Sequence, residues 1–191
     1  MMGLEQHEGA APRREMTADV VHRYVDLFDE LGLAVWLDGG WGVDVPVGEQ
    51  TRPHADLDTV IQREDVQELR DALAGSGFED VETDDRTDWN FIMASQAGQR
   101  IDFHIIVIDE QGRGNHGPPE SGVFYPSSSL QATGTVDGRT IRRLSAEHQV
   151  QSHTGYELDE NDIEDVTAMH ERFGEALRDG YPADLWKIEE D

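Results

Sequence analysis

Cysteine is absent from the 191 residues, which excludes disulfide frameworks, thiolate metal centres and cysteine nucleophiles. Any metal ion must therefore sit on oxygen or imidazole ligands. Lysine is nearly absent as well. Lys187 is the only one, and the arginines bring the basic residues to just 15 against 41 acidic ones. No run approaches the roughly 18 consecutive apolar residues that a membrane span needs, and residues 1–14 lack the apolar stretch of a signal peptide, so the chain reads as cytoplasmic. Aromatic residues make up only 7%, but hydrophobic residues reach 37% and are spread along the whole length. The expectation is one folded core with a small appendage, not a disordered polyanion.

The formal net charge is −26. In dilute buffer such a surface repels itself. At molar salt the Debye length shrinks to about 3 Å, and the same carboxylates keep the chain hydrated and soluble. Because acids occur in every segment, the charge reads as adaptation to a salt-rich cytoplasm, with a surface for a cationic partner as the competing reading. The same field disfavours free nucleic acid as a partner.

Residues 1–15 are small and polar and read as a flexible tail. After Thr17, apolar residues at Val20, Val21, Tyr24, Phe28 and Leu31 recur at helical spacing up to Gly32. Residues 34–37 form a short apolar run ending in Asp38-Gly39-Gly40, which predicts a buried strand turning through two glycines. A short helix over residues 41–48 follows, restricted by Pro46. Further strands are predicted at 56–61, 78–82, 89–95 and 100–108, with a helix at 64–74. The seven glycines and prolines between Gly112 and Pro126 predict only loop across 109–126, long enough for a lid or a linker. A hairpin turns at Asp137-Gly138, and helices at 145–153 and 162–178 close the chain. The division expected is a tail (1–15), an α/β domain (16–110) and a loop, hairpin and helical subdomain (111–191).

Asp56 and Asp58 are two apart in strand-like sequence, so their side chains share a face. Adjacent like charges are unfavourable unless a cation lies between them or one is protonated, and hard oxygen ligands favour Mg²⁺. An Asp-x-Asp pair is ordinarily solvated surface, but Leu57, Val60 and Ile61 place this one at the mouth of a buried strand. Asp102 lies in the otherwise apolar stretch Arg100-Ile101-Asp102-Phe103-His104-Ile105-Ile106, where a charge needs a partner. If the two strands are neighbours, three carboxylates meet, the arrangement of metal-assisted phosphoryl or nucleotidyl transfer. Gly39 and Gly40 at a helix start would present backbone N–H groups to a phosphate.

Residues 38–44 and 48–58, with their Asp-Gly-Gly-Trp-Gly-Val-Asp and Arg-Pro-His-Ala-Asp-Leu-Asp runs, together with residues 100–104 and 145–156, resemble the small antibiotic nucleotidyltransferases. These modify lincosamides and the 2″-hydroxyl of aminoglycosides, within the polymerase-beta-like nucleotidyltransferase superfamily. The resemblance implies an α+β fold, a mixed sheet with flanking helices and a smaller helical C-terminal part. It also implies transfer of a nucleoside monophosphate, AMP from ATP or another NTP, to a hydroxyl of a small acceptor with Mg²⁺ or Mn²⁺. Asp56 and Asp58 match the metal-binding pair, Asp102 the third carboxylate and general base, and Gly39 and Gly40 the phosphate-cradling glycines. This chain has Asn161 where the resemblance leads one to expect a Lys, which would weaken nucleotide binding or shift triphosphate neutralisation to Arg52 or Arg142.

Arg52 is placed either to hold a triphosphate or to act as an ion-pair partner. His54 and His104 are candidate nucleotide, substrate or metal contacts, His104 sharing the face of Asp102. His148, His153 and Tyr156 read as packing and capping residues, and Trp36, Trp41 and Trp89 as core by default, with stacking on a base or sugar as the alternative. The acidic run Glu82, Asp84, Asp85 and Asp88 reads as a solvated loop, with a cationic aminosugar as its other reading. A homodimer is compatible with all of this. A non-catalytic nucleotide sensor or antitoxin-like protein of the same fold remains the alternative class, and the acceptor is not legible in the sequence.

Overall fold

The structure is a computed structural model and describes residues 13–84, 86–152 and 160–173. The tail up to residue 12, His153, Tyr156 and the end of the last expected helix lie outside these.

Helix α1 (Ala18–Glu30) begins after the extended Thr17 and buries Val20, Val21, Val25 and Phe28. Gly32, at φ +72°, turns the chain out of the helix. Strand β1 (Val35–Leu37) is wholly buried and runs antiparallel to β2 (Leu57–Gln62). Between them, α2 (Gly39–Val47) starts at the diglycine itself, not at Trp41. The reason is local: extended Asp38 accepts the Gly39 N–H at 2.8 Å and so caps the helix. Pro46 lies in the final turn, where it denies the Gly42 carbonyl its N–H donor, and Gly48 closes the helix just beyond at φ +99°.

After α3 (Val66–Gly75) come β3 (Phe78–Val81), β4 (Asn90–Ser95) and β5 (Arg100–Ile108), giving the strand order β1-β2-β5-β4-β3. β2 and β5 are parallel, and the other pairs are antiparallel. Residues 109–126 correct the expectation of loop alone: β6 (Gly114–His116) pairs with Ile106–Ile108, and β7 (Phe124–Tyr125) pairs with β6. Gly114 marks a close approach, since a Cβ there would stand 2.6 Å from Ile106 Cδ1. The chain then forms α4 (Ser127–Leu130), the hairpin β8 (Thr133–Val136) and β9 (Arg139–Arg142), α5 (Ala146–Ser152) and α6 (Glu160–Phe173).

Strand alternation sorts the sheet into two faces. Leu57, Ile61, Phe91, Ile101 and Phe103 pack with Phe28 of α1 and with Leu69 and Leu73 of α3 in the main core, and each such fully buried side chain contributes roughly 1.5–3 kcal/mol. The opposite face carries Asp58, Val60, Asp102, His104 and Ile106. There a smaller cluster of Trp36, Val60, Ile106, Tyr125 and Leu144 covers only part of the surface. Among the described residues no helix is long and apolar enough to cross a membrane.

Candidate active site

Parallel pairing sets Asp58 of β2 directly beside Asp102 of β5, neighbouring strands being about 4.8 Å apart. Thr59 Oγ1 donates to the Asp102 carbonyl at 2.9 Å, locking that register. Asp56 lies in the bend just before β2. Asp38 completes the group, its N–H donating to the Asp58 carbonyl at 2.9 Å. Burial first, and then the charges of Asp56, Asp38 and Asp102, push the Asp58 carboxyl well above the usual carboxylate range, with Arg100 opposing. The site therefore concentrates negative charge on oxygen donors, which suits a hard divalent cation. Among the described residues no three His, Asp or Glu side chains converge closely enough to hold a metal ion as they stand. Asp58 and Asp102 are neighbours by strand register, with Asp56 in the bend just before, and their like charges oppose closer approach.

The glycines are required by the side chains packed against them. Gly39 has φ +53°, and a Cβ on it would press into the Asp58 carboxylate, 2.9 Å from Cγ. A Cβ on Gly40 would overlap the His54 ring and stand 2.8 Å from the Arg52 guanidinium. The first turn of α2 is thus brought against Asp58 on one side and Arg52 on the other, and the N–H groups at that end favour an anion.

Arg52 forms a bidentate pair with Asp165 of α6, at 2.8 and 2.7 Å. This bond raises its already high pKa. It pairs with none of the three site acids, and it retains 17% side-chain exposure next to the glycine turn. Arg142, the other expected substitute for the missing lysine, reaches Asp29 of α1 instead, and Asn161 is exposed on α6. His54, expected as a nucleotide contact, is only 3% exposed. Its Nε2 lies 2.5 Å from Asp44 Oδ2, and Thr51 donates to the other Asp44 oxygen. It therefore fastens the 51–54 loop to α2 from within.

Sequence reasoning missed Asp44 as a buried acceptor, Gln149, and the place of Tyr125. Gln149 is fully buried on α5 and donates to Asp38 Oδ1 at 2.9 Å. Gly42 makes room for it, since a Cβ there would meet the Gln149 amide. Tyr125 is buried on β7, and burial first, then the charges of Asp38 and Asp58, raise its hydroxyl pKa. Among the singled-out aromatics, Trp36 and Trp41 are core residues that donate to the carbonyls of Leu130 and Met16. Trp89 is half-buried beneath Arg63. In the acidic run, Glu82 is paired with Arg86 at 2.6 Å.

Comparison with known proteins agrees with this geometry. Residues 20–169 match the aminoglycoside-2''-adenylyltransferase family. A lincosamide resistance protein of Staphylococcus haemolyticus is 30% identical over 142 residues, 74% of this chain and 87% of that protein. A 2''-aminoglycoside nucleotidyltransferase of Escherichia coli is 29% identical over 66 residues, 33% and 37% of the two chains. The crystal structure of the lincosamide antibiotic adenylyltransferase LnuA, lincomycin-bound, superposes with TM-score 0.72 at 27% identity, covering 82% of this chain and 98% of that one. ANT(2")-Ia in complex with adenylyl-2"-tobramycin superposes with TM-score 0.65 at 21% identity over 80% and 87%, a likeness of fold. With the matched segment spanning the glycine turn, the acidic strands and α6, the chain belongs to the aminoglycoside-2''-adenylyltransferase family, enzymes of the nucleotidyltransferase type on the polymerase-beta-like fold.

Proposed function

We propose that the protein transfers AMP from ATP to a hydroxyl of a small antibiotic-like acceptor, with Mg²⁺ or Mn²⁺ bound. The observation that carries this is the register placing Asp58 beside Asp102, next to a helix start stripped of side chains. The first-turn N–H groups of α2 and the Arg52 guanidinium hold the triphosphate. Asp102 accepts the proton of the acceptor hydroxyl as its oxygen bonds to the α-phosphorus, and the bond to the bridging oxygen breaks to release pyrophosphate. Asp56 and Asp58, with Asp102, would hold the divalent ion. Bound there, a divalent ion would supply positive charge to offset that of the phosphates.

A non-catalytic nucleotide sensor would use the helix start but has no need of Asp102 aligned with Asp58. Asp102→Asn keeps shape and removes the proton acceptor, so turnover should fall by roughly 10²–10⁴-fold while the fold survives. Steady-state assays at high salt with melting curves on the same samples check this. Near-normal turnover would reduce Asp102 to a structural acid. The −26 charge supports a salt-rich cytoplasm as the working environment.

A further inference from the structure

We propose that Gln149 is a positioning residue for nucleotide binding: from inside the fold its amide fixes the Asp38 carboxylate as the cap of α2 and so holds the Gly39-Gly40 turn in the shape that admits phosphate. The proposal rests on the transfer reading above.

A turn of two glycines gains access to phosphate at the expense of order. With no side chain to pack at either residue, the backbone has more conformations open to it than at any other residue type, and what selects the one with Gly39 at φ +53° must come from neighbours. Asp38 is the nearest, accepting the Gly39 N–H on Oδ1 at 2.8 Å. Its own N–H is committed to the Asp58 carbonyl at 2.9 Å, which anchors the Asp38 backbone but leaves its half-buried carboxylate to its side-chain torsions. Gln149 removes that freedom. Its Nε2 donates to the same Oδ1 at 2.9 Å, and a bond to a carboxylate is among the stronger kinds.

The fold is arranged around this amide. Gln149 is fully buried on α5, where methionine would fill the space without the cost of burying a polar group. The polar end therefore serves a directed bond. Gly42 lacks the Cβ that would stand 3.1 Å from Gln149 Cδ, which gives the third glycine of α2 a purpose apart from the first two: it lets the amide cross the helix to Asp38. Backbone bonds set α5 against the turn, since the Leu144 N–H donates to the carbonyl of Leu37, one residue before Asp38, at 3.0 Å. The buried Ser129 Oγ accepts the Ser145 N–H at 2.9 Å. Beyond Gly42, Val43 packs with Ala146 and Val150 of the same helix as Gln149. Gln149 acts through Asp38, and by this route the C-terminal half of the chain fixes the phosphate end of the site.

Calorimetric binding of ATP with Mg²⁺ to the full chain at high salt tests the proposal, with the Gly39 amide resonance and the melting temperature read on the same samples. Gln149→Met keeps the volume and removes the donor. ATP affinity should fall about tenfold, the scale of one hydrogen bond to a charged group, and the Gly39 resonance should move while the melting temperature holds. Asp38→Asn leaves an acceptor for Gly39 but takes the charge out of the bond, so in that background Gln149→Met should cost only about two- to threefold. If Gln149→Met does not fold, Gln149→Asn, whose amide stops one carbon short of Asp38, reads the same loss. Unchanged ATP affinity in a folded Gln149 variant overturns the proposal, as does a tenfold loss that persists undiminished in Asp38→Asn. In both cases ATP binding by the wild type leaves the transfer reading standing. A wild-type chain that binds no ATP overturns both.

Discussion

Asp58 is held where its charge is least welcome, between Asp38, Asp56 and Asp102 and largely shielded from water. Its folded pKa lies above the unfolded value, so its contribution to stability is present below pH 3.8 and is lost as pH rises through the folded pKa. In metal-free buffer at pH 7, Asp58→Asn should therefore melt a few degrees higher than wild type, and the gap should close below about pH 4. Scanning calorimetry at both pH values checks this, and a lower melting point at pH 7 would contradict it. Asp58 and Asp102 were legible in the sequence because each interrupts an apolar strand, and Asp56 because it stands two residues before Asp58 at the mouth of one. Asp44, Asp165 and Gln149 were not, because their partners are set by packing: Arg52 and Asp165 are 113 residues apart, and Gln149 and Asp38 are 111 apart. His54 was misplaced for the same reason, its burial depending on a carboxylate from a different element.

Among the elements, the hairpin joining β5 to β6 carries His116 to the site face, and Asp109 closes it. Its carboxylate accepts from the N–H groups of Gln111 and Arg113 and from the Arg113 and Asn115 side chains. Loss of hydration, the largest single effect, raises its pKa, but these bonds together outweigh it and lower the pKa to about 2. That contribution is present above the unfolded value of 3.8 and is lost as pH falls towards 2. Asp109→Ala should speed amide exchange at Gln111 and Arg113 at neutral pH, as NMR would record, and unchanged protection would show the turn to be held by the strands alone. Alternation and helical spacing revealed α1, α3 and β1 to β5. β6 and β7 were hidden because they are three and two residues long and owe their pairing to backbone contact at Gly114, where composition signals a turn.

At the scale of the whole molecule, 41 acids face 15 basic residues. Exposed pairs such as Arg142–Asp29 are worth little in any buffer, so repulsion among unpaired carboxylates dominates and salt relieves it. The melting temperature should climb from dilute buffer to molar KCl, and a flat or falling trend would remove the salt-adapted reading. A separate vulnerability lies in α2, with Gly39, Gly40 and Gly42 in its first half and Pro46 near its end. Each glycine weakens the helix by roughly 0.5–1 kcal/mol relative to alanine, yet alanine has no room at any of the three. The helix persists through its packing against β2, β8, α5 and α6. The glycine turn proposed to hold phosphate is therefore only as durable as those neighbours, and a substitution that loosens α6 or the β8 hairpin would reach it without touching any residue of the turn itself.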